Sequence, residues 1–399
     1  MLLDSTRLEP APRVHSRPAR NAVFDQVAST LLQSLPRRDQ RGKGAEYLAG
    51  LLQTTGRKSV RNIAATSASS ATEQSLHHFI SDSTWDWRPM RRALTRYVLA
   101  SMPVQAWVLR PMTIVKAGSH SVGVSRRFCA EVGQSLNVQQ SVGLWAVGQD
   151  LSSPVNWRLH LTSAWLQDNR RRRSVEIPDD ERLETLGECA ARTYLDARAG
   201  VVGFPTRPVV FDARDTDVAP VLDLLGAAGT PFVLRIPNSY PLSPADPALP
   251  GHLGGSLSAQ EIMAAARGNR CPVYLRDAEG NLDQTWLAGM VRVRLPRSGT
   301  VRTPPRELML LGAGRLGGSW PTELWLTDLV EAGPAPVLQL AGLLRQVDRD
   351  FAEIADEVGI RDYAGRSFNG WHRHATLASA AHAVAMLTDP SRDAARYAS

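Results

Sequence analysis

Cysteine is scarce. The 399-residue chain has three, Cys129, Cys189 and Cys271, far apart, odd in number and without Cys-x-x-Cys or Cys/His ligand spacing. That argues against a disulfide framework and a structural zinc site, and it predicts a reducing, cytoplasmic setting. No apolar run approaches the roughly eighteen residues needed to cross a bilayer, and no apolar leader opens the sequence. Neither a membrane-spanning nor a conventionally secreted protein is expected. Gly-x-Ser-x-Gly, Gly-rich dinucleotide and P-loop motifs are missing too, which leaves those chemistries without support. One local absence is sharper. The stretch "QAWVLRPMTIVKA" (105–117) reads as an apolar strand laid out to present a carboxylate where "AWVL" ends, yet it contains no acid, and Arg110-Pro111 stand at that point.

Acids are also outnumbered overall. There are 46 Lys and Arg against 39 Asp and Glu, a net charge of +7 and a pI near 9.7. Residues 7–61 carry eleven of the bases, including "RRDQRGK" (37–43) and "GRKSVR" (56–61), and a second cluster runs from Arg170 to Arg173. Basic segments at two distant places suit a long polyanion better than a small ligand. With 43% hydrophobic residues the chain can build a real core, and its length predicts two or three domains.

The pattern divides the chain into five parts. Residues 1–20, rich in Pro and Arg, read as a mobile basic arm. Residues 21–100 carry helical periodicity broken by Gly, Ser and Pro, with Thr72 as a helix cap. Strand signals then begin with "AWVL", "VQQSVGLWAV" (138–147) and "VNWRLHL" (155–161). A helix follows, capped by Asp179 or Asp180 and ending at Gly200. Next come "PVVFDAR", whose strand ends on Asp212, another helix, and "PFVLRI". That strand–helix–strand order implies a parallel pair, and 101–237 is taken as the first part of a core. Residues 238–332 read as a β-rich insertion. Residues 333–399 hold a long amphipathic helix with Leu340, Leu343, Leu344, Val347, Phe351, Ile354 and Val358 on one stripe, then a second helix from about 367 to 388. Glu353 falls on the polar side of the first of these helices.

Four stretches carry a resemblance. "KAGSHSVGV" (116–124), "VNWRLHLTSAW" (155–165), "VVFDARDTD" (209–217) and "FAEIADEVGIRDYAGRSFNGWHRHATL" (351–377) resemble segments of the DDE-type transposases of bacterial insertion sequences. The resemblance spans roughly residues 40–388. It implies an α/β (α+β) molecule: an RNase H-like mixed sheet with flanking helices, an N-terminal helical DNA-binding domain and a β-rich insertion. It also implies phosphoryl transfer on double-stranded DNA, in which two Mg²⁺ or Mn²⁺ ions are held by three carboxylates. Carried over position by position, Asp212 matches the second acid and Glu353 the third, and both would be metal ligands. The first acid is replaced by Arg110.

A guanidinium there removes a shared ligand and adds a permanent positive charge where divalent ions must sit. The expectation is therefore Mg²⁺ or Mn²⁺ bound weakly or not at all, and cleavage lost or much reduced. Arg110 is expected to pair with Asp212, Glu353 or both, or to hold a DNA phosphate. Arg57, Lys58, Arg61, Lys116, His120, Arg366, His372 and Arg373 are the candidate phosphate contacts. Three functions follow: a DNA-binding protein with a degenerate triad, a working transposase with a rearranged site, and a cleft turned to a non-DNA anionic ligand. Homodimerisation is left open.

Overall fold

The computed structural model describes residues 17–66, 72–129, 133–250, 255–276, 282–296 and 307–389. The basic arm lies outside them as far as residue 16, and Arg17 already begins a helix, so the last four positions of the 1–20 arm are helical. The head comprises α1 (Arg17–Leu32), α2 (Arg38–Gln53), α3 (Val60–Thr66), α4 (Glu73–His77) and α5 (Trp87–Ser101), with a π-helical turn His78–Asp82 before α5. Thr72 does cap α4: its hydroxyl accepts from the Ser75 amide while the Ser75 side chain accepts from the Thr72 amide, the reciprocal arrangement that satisfies two orphan donors. Asp86 caps α5 through the Arg88 amide.

The sheet begins with β1 (Ala106–Val115), β2 (Val124–Cys129), β3 (Gln134–Val147) and β4 (Ser152–Leu159). Two short helices, α6 (Ser163–Leu166) and α7 (Asn169–Ser174), precede α8 (Leu186–Gly200). α8 is capped by Thr185 with Glu188 in a reciprocal box, and not by Asp179 or Asp180, because residues 178–185 form irregular chain ahead of the helix. Then come β5 (Val209–Asp212), α9 (Val218–Ala227) and β6 (Phe232–Arg235). Residues 238–332 hold β7 (Pro241–Pro244), β8 (Leu257–Ser258), α10 (Ala259–Ala265), β9 (Cys271–Arg276), β10 (Leu282–Arg294), β11 (Glu307–Arg315) and β12 (Glu323–Thr327). The chain closes with α11 (Pro334–Asp350), a π-helical turn Phe351–Ala355, and α12 (Phe368–Leu387).

The strands form one mixed sheet in the order β2-β3-β1-β5-β6-β12-β11-β10-β7-β8, with β4 on β3 and β9 on β10. β1 is antiparallel to β3 and parallel to β5, and β5 is parallel to β6. Three antiparallel strands followed by two parallel ones is the RNase H-like order, and β12 to β7 extend the same sheet beyond β6. Residues 106–109 are buried on both faces because helices cover both. Trp107 points to the α8 side, stacked 4.2 Å from Phe204 and edge-on to Tyr194. Arg110, of opposite parity along the strand, points to the α11 side. Where β3 and β4 cross, Gly143 leaves room for the Trp157 ring, since a Cβ there would sit 2.7 Å from it.

The head is not packed by itself. α12 is buried along almost its whole length and touches α1, α2, α5, the first π turn and β4, so head and sheet share one continuous core.

Candidate functional site

In an open sheet of this kind ligands collect at the carboxyl ends of the parallel strands. β1 and β5 pair through Leu109 and Phe211, so Arg110 and Asp212 are the next residues out on neighbouring strands and share a face. β1 does not end at Leu109, as the apolar run suggested, but continues through Arg110 to Val115. The pairing is not the one expected. Arg110 Nε donates to Asp348 Oδ1 at 2.9 Å, and its guanidinium carbon lies 3.6 Å from the centre of the Phe351 ring. Burial lowers the Arg110 pKa against the opposing pull of Asp348. Asp212 is held instead by Arg214, whose Nε and Nη2 donate at 2.9 and 2.8 Å, with Arg235 Nη1 at 3.7 Å. Arg235 in turn reaches Glu323 of β12 at 3.3 Å. Around the strand ends, carboxylates and guanidiniums thus neutralise one another in two separate groups.

Glu353 belongs to neither group. It is exposed and lines a cavity with Leu51, Leu52, Glu357 and Asp389, between the head and the end of α12. The reason is helical phase. Asp348 and Phe351, three residues apart, both face Arg110, and Glu353 lies a further two residues on, about 200° around the axis. The acid that meets the Arg110 position is Asp348, which sequence reasoning passed over. Its only sequence signal was its place one helical turn before Phe351 on the same stripe.

These residues do not fit a two-metal cluster. Asp212 is clamped by two guanidiniums, Arg110 occupies the neighbouring position, and Glu353 is in another cavity. Among the described residues no group of three or more His, Cys, Asp or Glu is arranged to hold a metal ion.

The candidate phosphate contacts divide sharply. Lys58, His372 and Arg373 are each 3% exposed and turn inward, which corrects their expected place on a DNA-facing surface. Lys58 Nζ donates to the Thr54 carbonyl and its amide to Asp362. Arg373 donates to the carbonyls of Trp85, Ile80 and Ser81, stitching α12 to the head. His372 stacks on Trp87 at 4.2 Å, and burial holds its pKa well below the ordinary value. His374, two residues on, bonds Tyr47 Oη and the Gly359 carbonyl, and burial pushes its pKa down to about 4. Its role is packing.

Arg57, Arg61, His120 and Arg366 are exposed and Lys116 is half-buried. Lys116 and His120 are on the 116–123 loop between β1 and β2, and Arg57 and Arg366 lie beside it. Lys116 Nζ donates to the Tyr363 carbonyl at 2.8 Å. Burial and the nearby Arg57 charge push its pKa down to about 8, against the pull of Asp362. The Arg366 carbonyl accepts from the Val122 amide at 3.1 Å. Arg171 of α7 donates to the Ser119 carbonyl at 2.9 Å and lies 3.7 Å over Trp165. The central Arg cluster was noted for its charge, but only the fold brings it to this loop.

A family model described as DDE superfamily endonuclease matches residues 30–292. The chain belongs to that family. The matched stretch includes Arg110 and Asp212 and stops before α11. No curated protein matches the chain. Among the described residues no helix is long and apolar enough to cross a membrane.

Proposed function

We propose that this member of the DDE superfamily endonucleases holds double-stranded DNA without cutting it by two-metal chemistry. The observation that carries the reading is the pairing on neighbouring strands: Arg110 with Asp348 and Phe351, Asp212 with Arg214 and Arg235. A fixed guanidinium about 5 Å from a bound ion repels a unit charge by roughly 3 kcal/mol at an effective dielectric near 20, and a divalent ion by about twice that. Freeing Asp212 would also mean breaking its bonds to Arg214. In-line attack on a phosphodiester needs those ions to activate water and to neutralise the leaving oxygen. The chain's own residues supply neither.

Binding is assigned to the loop that follows β1. Arg57, Lys116, Arg171 and Arg366 lie on or beside one loop together with the His120 ring, and a group of cations of this kind engages duplex phosphates and displaces their counterions. Lys116, whose pKa burial and Arg57 push down to about 8, is the residue whose charge a bound phosphate would stabilise most.

The test is to incubate the full chain with supercoiled plasmid in Mn²⁺ and to measure affinity for labelled duplex across a salt series. Binding with a steep salt dependence and no nicking is expected. The variant Arg110→Asp, which sets an acid beside Asp212, is expected to gain metal-dependent nicking. Nicking by the wild type that Asp212→Ala abolishes would overturn the loss of cleavage. Failure to bind duplex at low salt would overturn the DNA assignment.

A further inference from the structure

β1 stops short of the strands beside it. Its register with β3 ends at Val115 opposite Val138, and the Lys116 amide adds one bond to the Asn137 carbonyl. Residues 134–136 of β3 therefore pair with β2 alone among the described strands. β2 is itself the first strand of the sheet. The two strands leave the sheet as a two-stranded ribbon, directly after the loop that carries Lys116 and His120. From Val138 to Gln134 the ribbon extends about 14 Å, at roughly 3.4 Å per residue. That exceeds the roughly 8.5 Å depth of a DNA major groove.

Directly opposed residues share a face, so Val124 with Gln139, Arg126 with Asn137 and Phe128 with Ser135 form one ladder. At its root Val124 and Gln139 are buried, and Gln139 Nε2 donates to the Val122 carbonyl at 2.6 Å. The Val122 amide in turn bonds the Arg366 carbonyl. The cationic loop thus lies over the root of this face, and the open part begins one step further out. There Arg126 and Ser135 are exposed, Asn137 is half-buried and Phe128 is 69% exposed. The side chains of Arg126 and Asn137 make no hydrogen bond or ion pair among the described residues. Residues 124–129 and 133–139 include no acid, and Glu131 lies outside the described residues.

These side chains suit base edges better than phosphates. A guanidinium takes O6 and N7 of guanine together, an amide takes N6 and N7 of adenine, and an apolar ring meets the thymine methyl. The major groove is wide enough to admit a two-stranded ribbon. A second copy of the chain suits the open edge of β2 less well. An antiparallel β2–β2 pair would set Arg126 and Arg127 of one chain against those of the other, and like charges directly opposite destabilise a sheet.

We propose that the β2–β3 ribbon enters the major groove and reads sequence through Arg126, Phe128 and Asn137, while the adjoining loop holds the phosphates. The assignment rests on the duplex-binding reading and adds a sequence preference to it.

The test is selection by the full chain from a pool of random duplexes, with affinity for the unselected pool measured alongside. The wild type is expected to enrich a motif that contains guanine and thymine. Arg126→Gln should relax a guanine position and Phe128→Ser a thymine position, each by about fivefold or more in relative affinity. Placing 7-deazaguanine, which lacks the N7 acceptor, at the position read by Arg126 should weaken wild-type binding by a similar factor and leave Arg126→Gln unaffected. Arg127→Gln, on the opposite face, should select the wild-type motif. A pool bound without enrichment, or the wild-type motif selected by both Arg126→Gln and Phe128→Ser, would overturn the ribbon's role and leave duplex binding standing. Failure to bind the pool at low salt would overturn both. A wild-type dimer lost in Phe128→Ser with the motif unchanged would give the ribbon to a second copy instead.

Discussion

Two sets of basic residues lie a few residues apart in the sequence and do opposite work. Lys58, Arg91, His372 and Arg373 turn inward and bind carbonyls, hydroxyls and rings where α12 meets the head and β4. Arg57, Lys116 and Arg366 stay at the surface around the 116–123 loop. Arg57 and Lys58 are neighbours, yet one is exposed and the other 3% exposed. Composition counts both toward a basic protein. Only the second set can lend its charge to a polyanion, because a guanidinium whose protons already bind buried carbonyls has none left to offer.

The contrast breaks most visibly on the inner set. Arg373→Ala removes the guanidinium from three carbonyls of the head, those of Trp85, Ile80 and Ser81, of which Ser81 keeps the Ser367 hydroxyl. A loss of about 3 kcal/mol or more is expected in denaturant unfolding. DNA affinity per folded molecule should stay at the wild-type value. A full-strength fold with weakened DNA binding would place Arg373 with the outer set.

The outer set should respond the other way. Arg57→Ala and Arg366→Ala should each change stability by less than about 0.5 kcal/mol. Each should also lower the slope of log affinity against log salt by about one. Titration of duplex binding between 50 and 300 mM salt, chosen as roughly the range over which counterion release is readily seen, checks this.

The smallest effect is expected from pH. The Lys116 pKa in the fold is depressed to about 8, so the folded protein gives up that proton before the unfolded chain does. Stability should therefore rise as pH climbs from about 8 toward the ordinary lysine value, where the unfolded chain also loses its proton. DNA affinity should fall over the start of the same interval as the ammonium is lost. In Arg57→Gln the repulsion is gone, and both changes should move to higher pH. An affinity flat from pH 7 to about 9 would separate Lys116 from DNA contact.

Much of the fold was legible. The apolar runs "AWVL" and "VVF", each followed by a charged residue, singled out Arg110 and Asp212, although β1 runs on to Val115, and strand–helix–strand order gave the parallel pair of β5 and β6. The acid of the late helices that meets Arg110 was not legible. Its identity depends on which side of α11 and its π turn meets the sheet, and Glu353 and Asp348 differ there only in phase. Burial of Lys58 and Arg373 was equally hidden, because their side chains bond backbone carbonyls, and a carbonyl has no letter in the sequence, while His372 is buried against the Trp87 ring. The cap of α8 was missed for a simpler reason: Asp179 and Asp180 resemble a helix start, but the chain takes several irregular residues before Thr185.

The buried course of α12 has a consequence for the order of synthesis. The helices of residues 17–101 leave the ribosome first, but the helix that fills the space among α1, α2 and α5 is made last, after the whole sheet. Until residue 387 or so has emerged, the head has apolar faces with nothing to meet them. A fragment ending at residue 332 should consequently be sticky and prone to chaperone capture even though every strand of the sheet is present. The union of the head with α12 is therefore a late event, after the sheet between them has been made.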